Sequence, residues 1–113
     1  MEKERETDCY GIKPTREECR QISDFLQGIA NPVRLEILCA LRDGEKSVGE
    51  IAAWVGAKQS NISQQLKILT AKGYVMRRRE ERNIYYRVER TEIYLLMEHI
   101  YRLVCRPGQP DRG

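Results

Sequence analysis

Apolar residues recur three and four positions apart in several stretches of this 113-residue chain, and in one region they give way to short β-rich runs. Cys19, Ile22, Phe25 and Leu26 mark a first amphipathic helix, opened by a Thr15 and Glu18 capping box and closed before Gly28. Asn31 as N-cap, with Pro32 at the first helical position, opens a second helix, VRLEILCALRD, that ends at Gly44. Ser47 and Glu50 form another S-x-x-E box, predicting a short apolar helix that Gly56 breaks. A further helix follows almost at once over residues 59–72, with Ile62, Leu66 and Leu69 on one face and Gly73 as the stop. Thr91 is expected to cap the last helix, EIYLLMEHIYRLVC, where Ile93, Leu96, Met97, Ile100, Leu103 and Val104 form a broad apolar stripe. Before it, Tyr74-Val75-Met76-Arg77-Arg78-Arg79 and Ile84-Tyr85-Tyr86-Arg87-Val88 flank the polar turn Glu80-Glu81-Arg82-Asn83, which reads as a β-hairpin. The fold class predicted is mainly α with one β-hairpin, a winged helix-turn-helix.

The polar face of the helix over residues 59–72 carries Gln59, Ser60, Asn61, Ser63, Gln64 and Lys67, with no acidic residue. Gln and Asn pair bidentately with adenine edges and Ser bonds bases or phosphates, so this face suits a major groove of duplex DNA. The net charge of +3 says little by itself, but its placement does. Across residues 57–90 nine Lys or Arg face three Glu, a local +6 that leaves −3 for the rest of the chain. A positive field concentrated on the second helix of the pair and on the hairpin neutralises phosphates where the fold would meet them. The expected DNA-binding residues are Lys58, Gln59, Ser60, Asn61, Ser63, Gln64 and Lys67, with Arg77, Arg78, Arg79 and Arg82 in the hairpin. Strand alternation leaves open which of the three consecutive arginines points outward.

At this length, with 41% hydrophobic and 33% charged residues, the chain fits one small domain. Residues 14–106 are expected to form it, with a flexible arm over residues 1–13 and a flexible tail over residues 107–113. Two terminal amphipathic helices exceed what so small a core can cover. The expectation is a homodimer through the N- and C-terminal helices, presenting two reading helices to a pseudo-palindromic site. No apolar run approaches the roughly 20 residues that cross a bilayer, and MEKERETD has no signal-peptide character, so no membrane partner and a cytoplasmic location are expected.

The segment from IANPVRLEIL through SVGEIA, QSNISQQLKIL, KGYV and IYYRV resembles the winged-helix repressors of the ArsR/SmtB family, over about four fifths of the chain once the last helix is included. The resemblance implies a repressor that binds a double-stranded operator as a homodimer, without catalysis or cofactor. One departure is Lys58, where such proteins commonly carry a Ser or Thr cap. The change removes a side-chain acceptor worth about 1 kcal/mol and adds a phosphate-facing cation.

The effector must be argued from this chain. Where many members place a Cys-x-Cys pair, Ser47-Val48-Gly49-Glu50-Ile51 has no thiol. Other members bind zinc on the last helix, but His99 with Glu92 and Glu98 falls short of a tetrahedral site, so no metal is assigned. The cysteines are Cys9, Cys19, Cys39 and Cys105, none in a C-x-x-C, and no Cys, His and acid set supports a thiol enzyme. Cys39 and Cys105 resemble in position the thiols of the reactive-sulfur-sensing branch. That resemblance implies that the two lie close within a subunit and become linked by a disulfide or polysulfide when a small reactive sulfur species or oxidant arrives. Arg102 and Arg106 favour thiolate at Cys105, and the helix C-terminus opposes it. Three other readings stay open: Cys39 as an ordinary core residue, arsenite or another soft metal held by Cys39, Cys105 and an N-terminal cysteine, and a winged helix that binds protein or RNA.

Overall fold

The computed structural model describes residues 11–105, and Cys9, Arg106 and most of both proposed terminal segments lie outside them. Helix α1 spans Arg16–Ile29 and α2 spans Pro32–Ala40, continued by one 3-10 turn over Leu41–Asp43. Strand β1 is Lys46–Ser47, α3 is Val48–Val55 and α4 is Gln59–Ala71. Strands β2, Val75–Glu80, and β3, Asn83–Val88, precede α5, Ile93–Val104.

Local chemistry accounts for most boundaries. Thr15 and Ser47 each accept a hydrogen bond from the backbone N–H of the glutamate three residues on, and Glu18 and Glu50 return one, completing both capping boxes. Asn31 Oδ1 accepts from the N–H groups of Val33 and Arg34, and Gly56 closes α3 at φ 83°. Lys58 occupies the N-cap of α4 with no side-chain hydrogen bond, as the missing Ser or Thr implies.

Four expectations change. Helix α1 does not close before Gly28 but runs through it to Ile29. Thr91 does not cap α5. The N-cap is Glu92, without a side-chain bond, and Thr91 sits in a tight turn whose carbonyl accepts from Tyr94 N–H. Ile93, 3% exposed, must enter the core immediately after the wing, and this places the helix start one residue later. The hairpin turn is shorter than four residues, because Glu80 pairs with Asn83 and only Glu81 and Arg82 cross, Glu81 at φ 57°. The sheet has a third strand: β1 pairs antiparallel with β3, so the order is β1-β3-β2.

Ile37 and Leu38 of α2, Ile51 of α3, Ile62, Leu66 and Leu69 of α4, and Tyr74 and Val75 leading into β2 are fully buried. Each such aliphatic side chain contributes roughly 1.5–3 kcal/mol of burial, which seats the helix pair on α2 and leaves its polar face outward. The outer parts of α1 and α5 are not covered: Ile22, Leu26, Leu95, Ile100, Tyr101, Leu103 and Val104 remain exposed, Leu103 at 74%. Among the described residues, no helix is long and apolar enough to cross a membrane.

Candidate nucleic-acid interface and sensor thiols

Because Ile62, Leu66 and Leu69 are pulled into the core, α4 turns Gln59, Ser60, Ser63, Gln64 and Lys67 to solvent, and Lys58 is exposed at its start. Asn61 departs from this set. It is half-buried, and its Oδ1 faces the Gln65 side-chain amide at 3.5 Å.

The wing divides its arginines. Arg78 donates to the Glu45 carboxylate at 2.7 Å and to Glu80 at 2.8 Å, and its guanidinium lies 5.1 Å from the centre of the cross-strand Tyr85 ring. Glu45 immediately precedes β1, so this ion pair ties β2 to the strand on the far side of β3. The hydrogen bond from Arg78 holds the Glu45 carboxyl below its usual range, and the glutamates raise the Arg78 pKa further. Arg79 donates to the Glu81 carbonyl at 3.2 Å. Among the described residues Arg77 and Arg82 have no ion-pair partner, which leaves their charges available to a polyanion. The distinction between a bracing and a free arginine was invisible in a run of three, because the partner of Arg78 lies 33 residues away.

Cys39 is flanked by buried Leu38 and Ala40 yet is itself exposed, so it is not a core residue. Burial of its surroundings raises the thiol pKa; Arg42 opposes that shift and Glu36 adds to it. Beside it stands Tyr94 of α5, whose hydroxyl donates to the Leu38 carbonyl at 2.6 Å. Desolvation, reinforced by the Cys39 charge, pushes Tyr94 up to about 12. Cys105 follows the last residue of α5, three turns beyond Tyr94 or about 16 Å along the axis, exposed and unbridged. Both thiols are exposed and unbridged. Cys19 is exposed on α1, and His99 is exposed on α5.

A helix pair whose second member shows an acid-free polar face, followed by a braced basic wing, defines a DNA-binding transcriptional regulator rather than an enzyme. The chain belongs to the ArsR family of bacterial regulatory proteins, whose family model matches residues 31–77. It is 37% identical over 89 residues to the biofilm growth-associated repressor of Agrobacterium fabrum, covering 79% of this chain and 76% of that protein. The transcriptional activator HlyU of Vibrio cholerae is 39% identical over 85 residues, 75% of this chain and 79% of its own length. The structure of reduced HlyU superposes with a TM-score of 0.69 at 36% identity, covering 79% of this chain and 94% of HlyU. The antimony-specific transcriptional repressor AntR superposes with a TM-score of 0.78 at 27% identity, over 93% of this chain and 96% of AntR.

Proposed function

We propose that the protein is a cytoplasmic homodimeric repressor that holds an inverted-repeat operator through α4 and the wing and leaves it when Cys39 and Cys105 become bridged. The observation that carries the sensing half is the outward placement of Cys39 from an otherwise buried stretch of α2, against the first turn of α5. The uncovered apolar faces of α1 and α5 support pairing of two chains through those helices. A bridge that draws the end of α5 toward α2 would displace the same helix that pairs the subunits, and so turn one reading helix against the other.

The chemistry balances with a persulfide as oxidant. A persulfide transfers sulfane sulfur to one cysteine and leaves as the thiol; the cysteine persulfide is then attacked by the second cysteine, giving a disulfide and hydrogen sulfide. Two cysteine persulfides condense instead to a trisulfide with loss of hydrogen sulfide. The test is fluorescence anisotropy on an operator duplex with and without glutathione persulfide, alongside intact mass. Bridged protein that holds the operator as tightly as reduced protein would refute the reading.

A second reading, release by a soft metal, is favoured by the fold likeness to AntR. Among the described residues no group of three His, Cys, Asp or Glu could hold a metal, so it would need Cys9 to join Cys39 and Cys105. Equilibrium dialysis with arsenite and zinc separates it from the sulfur reading. A gel shift comparing duplex with single-stranded probe separates both from a protein- or RNA-binding module.

A further inference from the structure

Helix α1 ends without a basic residue in its last turn, so its terminal carbonyls lack the cation that commonly sits there. Arg34, on α2, supplies one. Its Nε donates to the Gly28 carbonyl at 2.7 Å and its Nη2 to the Gln27 carbonyl at 3.2 Å. The same guanidinium reaches forward, with Nη1 donating to Gln65 Oε1 at 2.8 Å, and Gln65 Nε2 faces Asn61 Oδ1 at 3.5 Å. Arginine has no acceptor, so the Gln65 oxygen must face it and the Gln65 NH2 is left for Asn61. All three side chains are half-buried, which fixes their rotamers more firmly than an exposed pair.

This chain joins the end of α1 to the middle of α4, at Gln65. A second joint lies beyond the C-terminal end of α4, where the Tyr74 hydroxyl donates to the Phe25 carbonyl and the Tyr74 ring packs 5.1 Å from Phe25. Two separated attachments fix an angle, which one attachment does not. We propose that Arg34 is a positioning residue that acts through Gln65, whose amide Asn61 orients, to hold α4 at a set angle to α1, and thereby sets the half-site spacing the dimer accepts. The proposal rests on α4 as the reading helix and α1 as part of the dimer interface, and it assigns Asn61 to positioning rather than to base contact.

The experiment first selects a duplex from a random-sequence pool with the parent protein, then measures parent affinity for that duplex, for one half-site alone, and for versions with the half-sites moved by one or two base pairs. A parent indifferent to spacing would refute the paired-reading-helix picture, and this proposal with it. Gln65→Met keeps a helix-favouring side chain and leaves both Arg34 bonds to α1, so it should melt within a few degrees of the parent. It is expected to bind the isolated half-site within about twofold of the parent while losing about fivefold or more of the spacing preference, the lower end of common coupling strengths. Arg34→Lys, which cannot serve both helices at once, should flatten the same preference, and the double variant should be no worse than the poorer single. Asn61→Ala should alter spacing preference and leave base preference within the half-site unchanged. Spacing profiles of Gln65→Met and Arg34→Lys that superimpose on the parent, or a changed base preference in Asn61→Ala, would overturn the proposal.

Discussion

Arg78 and Glu45 meet at 2.7 Å across 33 residues of sequence, and this contact makes the middle arginine of the wing a brace. If Arg78 acts by holding β2 against the strand that follows Glu45, Glu45→Gln should weaken duplex binding about as much as Arg78→Ala, roughly twofold to fivefold for a pair this exposed. A pure phosphate contact predicts the opposite sign, since removing Glu45 would then add net positive charge to the wing. Filter binding at two salt concentrations separates the two outcomes.

The same pair predicts an acid limit on wing order. Arg78 lowers the Glu45 pKa, chiefly through its hydrogen bond, so the contribution of the pair is complete above the ordinary carboxylate value of about 4.3. It is lost as pH falls through the lowered folded value, where the carboxylate takes up a proton. Protection factors of the amides in residues 75–88, which correct for the intrinsic pH dependence of exchange, should fall over that acidic range in the parent, and Glu45→Gln should show the lower protection already at neutral pH. Equal wing protection in both proteins at neutral pH would refute the brace.

Base readout and phosphate contact should separate between α4 and the free wing arginines. Gln64, exposed on the polar face of α4, is expected to contribute about 1–3 kcal/mol of discrimination between bases, so Gln64→Ala should lower specific binding with little change on random duplex. Arg77→Ala should weaken both alike and reduce the salt slope by about one. Equal losses from Gln64→Ala on specific and random DNA would refute its assignment to the groove.

The features legible in the sequence were those set by residues a few positions apart. Thr15 with Glu18, Ser47 with Glu50, and Asn31 with Pro32 mark helix starts because the cap and its N–H partners lie within three residues of each other. The three- and four-residue spacing of Ile62, Leu66 and Leu69 and the β-rich runs on either side of residues 80–83 carried the reading helix and the wing in the same way. Thr91 misled because the same residue that favours an N-cap also favours a tight turn, and burial of Ile93 decided between them. Strand β1 has only two residues, too few to show any period. The Arg78 and Glu45 brace, the Arg34 chain and the exposure of Cys39 depend on which elements pack together, and no local pattern encodes that.

Gly28 shows the same dependence on packing. A Cβ built there would stand 2.5 Å from the Tyr74 ring and 2.7 Å from the Lys72 side chain, so the close seat of α1 on Tyr74 requires glycine. Gly28→Ala should destabilise by about 1–3 kcal/mol through overpacking, although alanine favours a helix by roughly 1 kcal/mol. Tyr74→Phe, which removes the hydrogen bond to the Phe25 carbonyl without adding bulk, should cost about 1 kcal/mol. Urea denaturation measures both, and a Gly28→Ala protein more stable than the parent would show that α1 shifts freely at this point.

The thiols yield the sharpest test, because the proposed release requires both of them. Desolvation by the residues around it raises the Cys39 thiol pKa, and Arg42 opposes that shift. Both thiols are exposed, so either can take up sulfur and the other resolve the persulfide. Tyr94 holds the start of α5 on the Leu38 carbonyl, so a bridge at the far end would pull on α5 against that hold, and the resulting shift of the helix is what should release DNA. Cys39→Ser should therefore still gain sulfur at Cys105 yet keep its operator, and Cys105→Ser should neither bridge nor release, while both bind in the reduced state within a few fold of the parent. In the parent, release should weaken binding by roughly 5–150-fold, the range of common coupling strengths, and Cys9→Ser and Cys19→Ser should behave alike with it. Non-reducing denaturing gels should show the bridged parent as single chains. A covalent dimer would place the bridge between subunits, and persulfide-driven release in Cys39→Ser would end the two-thiol mechanism altogether.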